Sequence, residues 1–171
     1  MSESFQTDHQ VRMAVLTISD TRTQETDTGG KLVQQLALDK GLELVDYAIV
    51  SDDVAAIRVI LSDWLEKDEI DVIVTTGGTG IAKRDVTLEA VEPFFEKEID
   101  GFGELFRYVS FTEDVGTKAL LSRAAAGAAN DKAIFVLPGS RGAVKLAMER
   151  LILPEIQHIY FELTKHREPR G

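Results

Sequence analysis

The chain has no cysteine. That excludes disulfides and thiolate metal sites, and it suits a protein of the reducing cytoplasm, where this one is expected to act. Histidine is nearly as scarce. His9, His158 and His166 stand near the two ends with no HExxH pattern, so they read as solvated surface residues rather than ligands. No apolar run approaches the roughly 20 residues a membrane-spanning helix needs, and "MSESFQTDHQ" has neither the basic start nor the apolar stretch of a signal peptide. Positive charge is outnumbered, 19 Lys and Arg against 29 Asp and Glu, for a net charge of −10. Such a surface repels nucleic acid, and any anionic substrate has to find a locally basic pocket.

What remains is the make-up of an ordinary globular protein, with 44% hydrophobic and 28% charged residues in 171. That length suits one domain spanning 1–171 with a sizeable core, residues 1–10 and 166–171 reading as loose termini. No repeat or interdomain linker interrupts it. Four segments read as strands: "VRMAVLTIS" (11–19), "LELVDYAIV" (42–50), "DVIVTT" (71–76) and "AIFVLPG" (133–139). Helical patterns alternate with them. Residues 31–41 end on Gly41, and 51–70 place Val54, Ile57, Leu61, Trp64 and Leu65 on one face. "DVTLEAVEPFF" is expected to end or kink at Pro93, and the long pattern over 143–163 to be interrupted at Pro154. "GFGELFRYVSF" (101–111) reads as core first and subunit contact second.

Apolar strands alternating with helices predict a three-layer α/β/α fold around a mostly parallel sheet. In such a fold the crevice lies beyond the carboxyl ends of the strands. There the loops 19–30, 51–53, 76–85 and 138–142 should converge. One of them is "TTGGTGIAKRD" (75–85), where three glycines fall within four residues. Bare amides at a strand-to-helix turn suit a phosphate. The loop is not a P-loop, because Lys83 follows Ala82 and precedes Arg84. Nor is it a dinucleotide fingerprint, whose sixth place needs glycine where this chain has Lys83.

Asp85 and one of Asp52 and Asp53 stand where helix N-caps are expected. Both helices start at the crevice, and carboxylates beside phosphates are how proteins hold Mg²⁺, so magnesium is the metal expected. "LSRAAAG" (121–127) reads as a short helix capped by Ser122, with Lys118 and Arg123 as cations. "LPGSRGA" (137–143) repeats the strand–glycine–helix logic, with Ser140 as cap or phosphate donor.

In order, "AVLTISDTRTQETDTGG", "VSDD", "TTGGTGIAKRDVT", "EIDGFGELFR", "LSRAAAG" and "LPGS" resemble the MoaB/Mog family of molybdenum cofactor biosynthesis proteins over nearly the whole chain. The resemblance implies a molybdopterin-binding fold in a homo-oligomer, with a hexamer favoured over a trimer. It also implies Mg²⁺- and ATP-dependent adenylylation of molybdopterin with release of pyrophosphate. By motif, Asp52 and Asp85 would serve metal and catalysis. Thr76, Gly77, Gly78, Thr79, Gly80, Ser110, Ser122, Arg123, Pro138, Gly139 and Ser140 would bind pterin or phosphate. Ser19, Asp20 and Asp27 would border the nucleotide. The departure is Leu88, where relatives often carry proline, a change expected to touch stability more than chemistry. A non-catalytic carrier of molybdopterin or its precursor is the alternative; it would need the glycine loops but not the two aspartates.

Overall fold

The computed structural model describes residues 8–167; the loose-terminus expectation for 1–7 and 168–171 lies outside them. The strands are β1 (Arg12–Ile18), β2 (Glu43–Val50), β3 (Val72–Thr76), β4 (Lys97–Glu98), β5 (Ala125–Ala129) and β6 (Lys132–Leu137). The helices are α1 (Thr28–Asp39), α2 (Val54–Leu65), α3 (Thr87–Val91), α4 (Asp100–Glu113), α5 (Arg141–Ala147) and α6 (Leu153–Thr164). The sheet order is β2-β1-β3-β6-β5-β4. The first four strands, those legible in the sequence, run parallel. β5 and β4 add an antiparallel edge.

Alternate residues of the central strands enter different layers, because successive side chains leave a strand on opposite faces. Met13, Val15, Val72, Val74, Phe135 and Leu137 share one core with Val33 of α1, Phe106 of α4, Val144 of α5 and Ile156 of α6. Ala14, Leu16, Ile73, Ile134 and Val136 share the other with Ile57 and Trp64 of α2 and Leu88 of α3. With both faces covered, every position of β1, β3 and β6 except Arg12 is buried, and the sequence shows near-continuous apolar runs there.

The long C-terminal helical pattern is not broken at Pro154. Proline lacks the N–H and crowds the carbonyl of the preceding turn. A π-helical turn over Met148–Ile152 precedes it and places Pro154 in the first turn of α6. Pro93 lies in a 3₁₀ turn, Glu92–Phe94, that ends α3. In 101–111, Phe102, Phe106 and Val109 are core, whereas Leu105, Tyr108 and Phe111 point outward. Among the described residues no helix is long and apolar enough to cross a membrane.

Within the expected loose N-terminal stretch, Gln10 donates to the Gly41 carbonyl at 2.9 Å, and His9 is more than a solvated surface group. Its ring stacks on Tyr160, centroids 4.2 Å apart, and its Nε2 lies 2.7 Å from Asp71. Burial works to raise the Asp71 pKa, but hydrogen bonds from Arg12 and His9 prevail and hold it below the ordinary carboxylate value. A depressed carboxyl pKa stabilises the fold above the unfolded pKa and loses that contribution as pH falls through the folded one. Urea midpoints should therefore drop on acidification below about pH 4, and Asp71→Asn should be less stable at neutral pH with a flatter acid limb. Parallel pH profiles for the two proteins would remove this role from Asp71.

Candidate functional site

β3 ends at Thr76, and the chain turns sharply through Gly77 (φ +98°) and Gly78 (φ +72°). A Cβ on Gly77 would lie 2.3 Å from the Ile18 carbonyl oxygen, so only glycine fits. The Gly77 amide donates to the Leu137 carbonyl at 2.9 Å. Gly139 packs against Gly77, and a Cβ on Gly29 would meet the Gly139 oxygen at 2.8 Å. Three segments remote in sequence thus meet backbone to backbone at one rim.

Thr87, buried at the start of α3, locks this turn from below. Its hydroxyl donates to the Gly77 carbonyl at 2.8 Å and its amide to the Gly78 carbonyl at 3.2 Å. The amides of Gly78, Thr79 and Gly80 donate to no acceptor among the described residues. A run of free backbone donors in a concave turn is an anion-binding arrangement.

Beside it opens a cleft of about 160 Å³ lined by Ser19, Asp20, Asp52, Gly78, Arg84 and Asp85, with Ile18 and Thr21. Asp20 orders the loop after β2 by accepting the Asp52 amide at 2.9 Å. Asp53 caps α2, accepting the Ala56 amide at 2.8 Å, and Asp52 is the member of the pair that lines the cleft. The Asp52 pKa is raised, first by burial and then by the charge of Asp20; Asp85 adds to this and Arg84 opposes it. Asp85 is not a helix cap, contrary to its sequence context. α3 begins after Val86 with no side-chain cap. The carboxylate instead closes its own loop, accepting the Ala82 amide at 3.0 Å. Gly80 is bare because a Cβ there would sit 2.7 Å from that carboxylate.

The other sequence candidates are placed as follows. Ser19 lines the cleft while its hydroxyl accepts the amides of Thr21 and Arg22. Asp27 turns away from the cleft. It is 2% exposed, caps α1 through the Gly30 amide, and takes hydrogen bonds from the Thr17 and Tyr47 hydroxyls. Thr76 is buried and donates to Thr17, joining this network to the glycine turn. Gly139 packs against Gly77 with Pro138 just before it in the chain, and the Ser140 hydroxyl caps α5 through the Ala143 amide at 3.2 Å. Ser122 begins no helix; its amide closes the 3₁₀ turn Gly116–Leu121 by donating to the Ala119 carbonyl, and it precedes β5. Ser122 and Arg123 line a separate cavity of about 380 Å³ with Glu98 and Arg107, and Ser110 is buried within α4 facing neither space. Thr87 and Glu89 were missed, although "DVT" beside a glycine loop offers a hydroxyl for the turn. Tyr47 was missed because its strand gave no sign of a buried polar partner.

Asp20, Asp52 and Asp85 supply the hard oxygens Mg²⁺ prefers. Among the described residues no three acidic or imidazole groups are placed to hold a metal ion by themselves. That donor set fits an ion bound by one or two carboxylates and completed by substrate phosphates.

Comparison with known proteins bears on the family and the fold. Residues 14–158 match the family model described as a probable molybdopterin binding domain. A molybdenum cofactor biosynthesis protein B of Staphylococcus aureus (strain MRSA252) is 61% identical over 157 residues, 91% of this chain and 93% of that protein. A solved molybdenum cofactor biosynthesis protein B superposes with a TM-score of 0.90 at 51% identity, covering 95% of this chain and all of that one (100%). The tungsten cofactor synthesizing protein MoaB from Pyrococcus furiosus superposes with a TM-score of 0.81 at 38% identity, covering 92% and 99%.

Proposed function

Because the chain belongs to the molybdopterin-binding family of molybdenum cofactor biosynthesis proteins, we propose that it is an enzyme adenylylating molybdopterin with ATP and Mg²⁺ in the cytoplasm. The observation that carries this reading is the contact of two unlike surfaces: free backbone donors at Gly78–Gly80 and the carboxylates of Asp20, Asp52 and Asp85 in the adjoining cleft. A carrier needs the donors alone. The acidic cleft would repel a phosphate unless a cation joined it, so its presence favours catalysis over carriage.

In this mechanism the 77–80 turn and the 138–140 turn hold phosphate groups, and Arg84 faces the nucleotide across the cleft. A terminal phosphate oxygen of molybdopterin attacks the α-phosphorus of ATP. A new P–O bond forms, the bridge between the α- and β-phosphorus breaks, and pyrophosphate leaves with the electron pair. The nucleophile is already anionic, so no general base is required and the lack of histidine at the cleft is no obstacle. Asp52 and Asp85 would hold magnesium, which when bound supplies charge neutralisation for the two anions. The protein's own contribution is alignment and fixed dipoles. Mixing protein, molybdopterin, ATP and Mg²⁺ should release pyrophosphate in step with adenylylated pterin. Pterin binding without pyrophosphate would transfer the protein to the carrier class.

We also propose a homo-oligomer, hexameric rather than trimeric, contacting through the outward face of α4. Leu105, Tyr108 and Phe111 are 54%, 66% and 53% exposed there, a concentration of apolar surface typical of interaction sites. Sedimentation should give a mass several times 18.9 kDa, and Phe111→Glu with Leu105→Glu should lower it. An unchanged mass would place the contact elsewhere.

A further inference from the structure

Arg123 stands between the 3₁₀ turn Gly116–Leu121 and β5, yet its guanidinium reaches the loop carrying Asp85. Nε donates to the Gly80 carbonyl at 2.9 Å and Nη2 to the Asp85 carbonyl at 3.0 Å. Its own amide donates to the Thr79 carbonyl at 3.1 Å. The remaining edge of the guanidinium takes both carboxylate oxygens of Glu89, at 2.6 and 3.0 Å. Glu89 holds the fork in plane, and its own carboxyl is kept below the usual range chiefly by that hydrogen bond. A fork spent in this way has little left for a ligand.

We infer that Arg123 and Glu89 form a clasp that sets the position of the Asp85 carboxylate, making both positioning residues for the proposed transfer rather than phosphate-binding groups. Loop 80–85 has few other ties. Asp85 bonds Ala82 twice, through amide and carboxylate, but residues 81–84 are exposed. The clasp fixes both ends of the loop from outside, Gly80 at its start and Asp85 at its close. An ion pair this exposed contributes little to global stability. Its work is therefore local, and lysine cannot replace it, because an ammonium cannot span two carbonyls and a carboxylate in one plane.

The inference rests on the catalytic reading for its kinetic arm only. Hydrogen exchange at the Ala82 amide tests the clasp directly, since that amide is held by the Asp85 carboxylate. Glu89→Gln and Arg123→Lys should each speed that exchange severalfold with thermal midpoints nearly unchanged. In turnover, both should cost about tenfold to a hundredfold in kcat, the scale of small misplacements, with the Mg²⁺ dependence moved to higher concentration. If Arg123 instead bound phosphate directly, Glu89→Gln would free the guanidinium and tighten ATP binding, and Arg123→Lys would keep much of the activity. Either result, or unaltered exchange at Ala82, overturns the clasp. Faster exchange in the two variants, alongside a wild-type protein that makes no adenylylated product, would retire the catalytic reading and leave the clasp standing.

Discussion

Asp85→Asn is expected to lower the proposed pyrophosphate release by at least about a hundredfold while leaving the fold intact, on the scale of losing one charge-stabilising group at a transition state. Asparagine keeps the oxygen that accepts the Ala82 amide, so the loop persists and only the charge goes. Asp52→Asn should be as damaging for the same reason, with a second signature. Burial and the Asp20 charge raise the Asp52 pKa in the folded state. The sign follows: a raised folded pKa favours the protonated form, so its stabilising effect is complete below the unfolded pKa and is lost as pH rises through the folded one. At neutral pH without magnesium, the ionised Asp52 is a burden, and Asp52→Asn should melt at a slightly higher temperature than wild type. Asp53→Asn is the control: asparagine caps a helix as well as aspartate, so both activity and stability should stay close to wild type. Full activity in Asp85→Asn, or a deficit in Asp53→Asn equal to that of Asp52→Asn, would contradict the assignment.

Gly77→Ala is expected to be among the most damaging single-methyl changes at the described glycines. Two costs combine. At φ +98° an L-residue is strained, by about 1–2 kcal/mol. The added Cβ would also lie 2.3 Å from the Ile18 carbonyl oxygen, a backbone atom that cannot move without dragging the end of β1. A total loss near 3 kcal/mol or more should appear in urea denaturation. Gly41→Ala separates the two terms, because Gly41 has φ +82° but nothing within 4 Å of a new Cβ. It should show the strain alone. Equal losses at both positions would mean that the contact between β1 and the glycine turn carries no weight. Because the same turn aims the free amides, whatever Gly77→Ala protein folds should also bind phosphate poorly.

Much of this was legible in the sequence. The three central parallel strands, β1, β3 and β6, announce themselves because both faces are buried, leaving no polar alternation to confuse the pattern, whereas the edge strand β2 is read from its alternation. The glycine loop was legible because side chains are removed only where backbones or ligands must approach. β5 was not legible. Ala125–Ala129 contains only alanine and glycine, with no β-branched residue to mark it as a strand. The reason is steric: the Phe95 ring occupies the place where a Gly127 Cβ would stand, 2.4 Å away. Asp85 misled because Asp before a helix is the ordinary capping pattern, and only the loop's curvature shows its carboxylate turned back on Ala82. Asp27 misled in the opposite sense, since a polar loop gives no sign that one of its acids is buried beneath two hydroxyls.

The sequence by itself determined the alternation of strand and helix, the family, and the residue types available for phosphate and metal chemistry. It could do so because hydrophobic period and glycine placement are local properties, written in consecutive residues. Which aspartate of the pair at 52 and 53 faces the cleft, which arginine is spent on a loop and which acid is sealed in the core were decided only in three dimensions. Each of those outcomes depends on partners tens of residues away, and burial and hydrogen-bond direction exist only once the chain has brought them into contact.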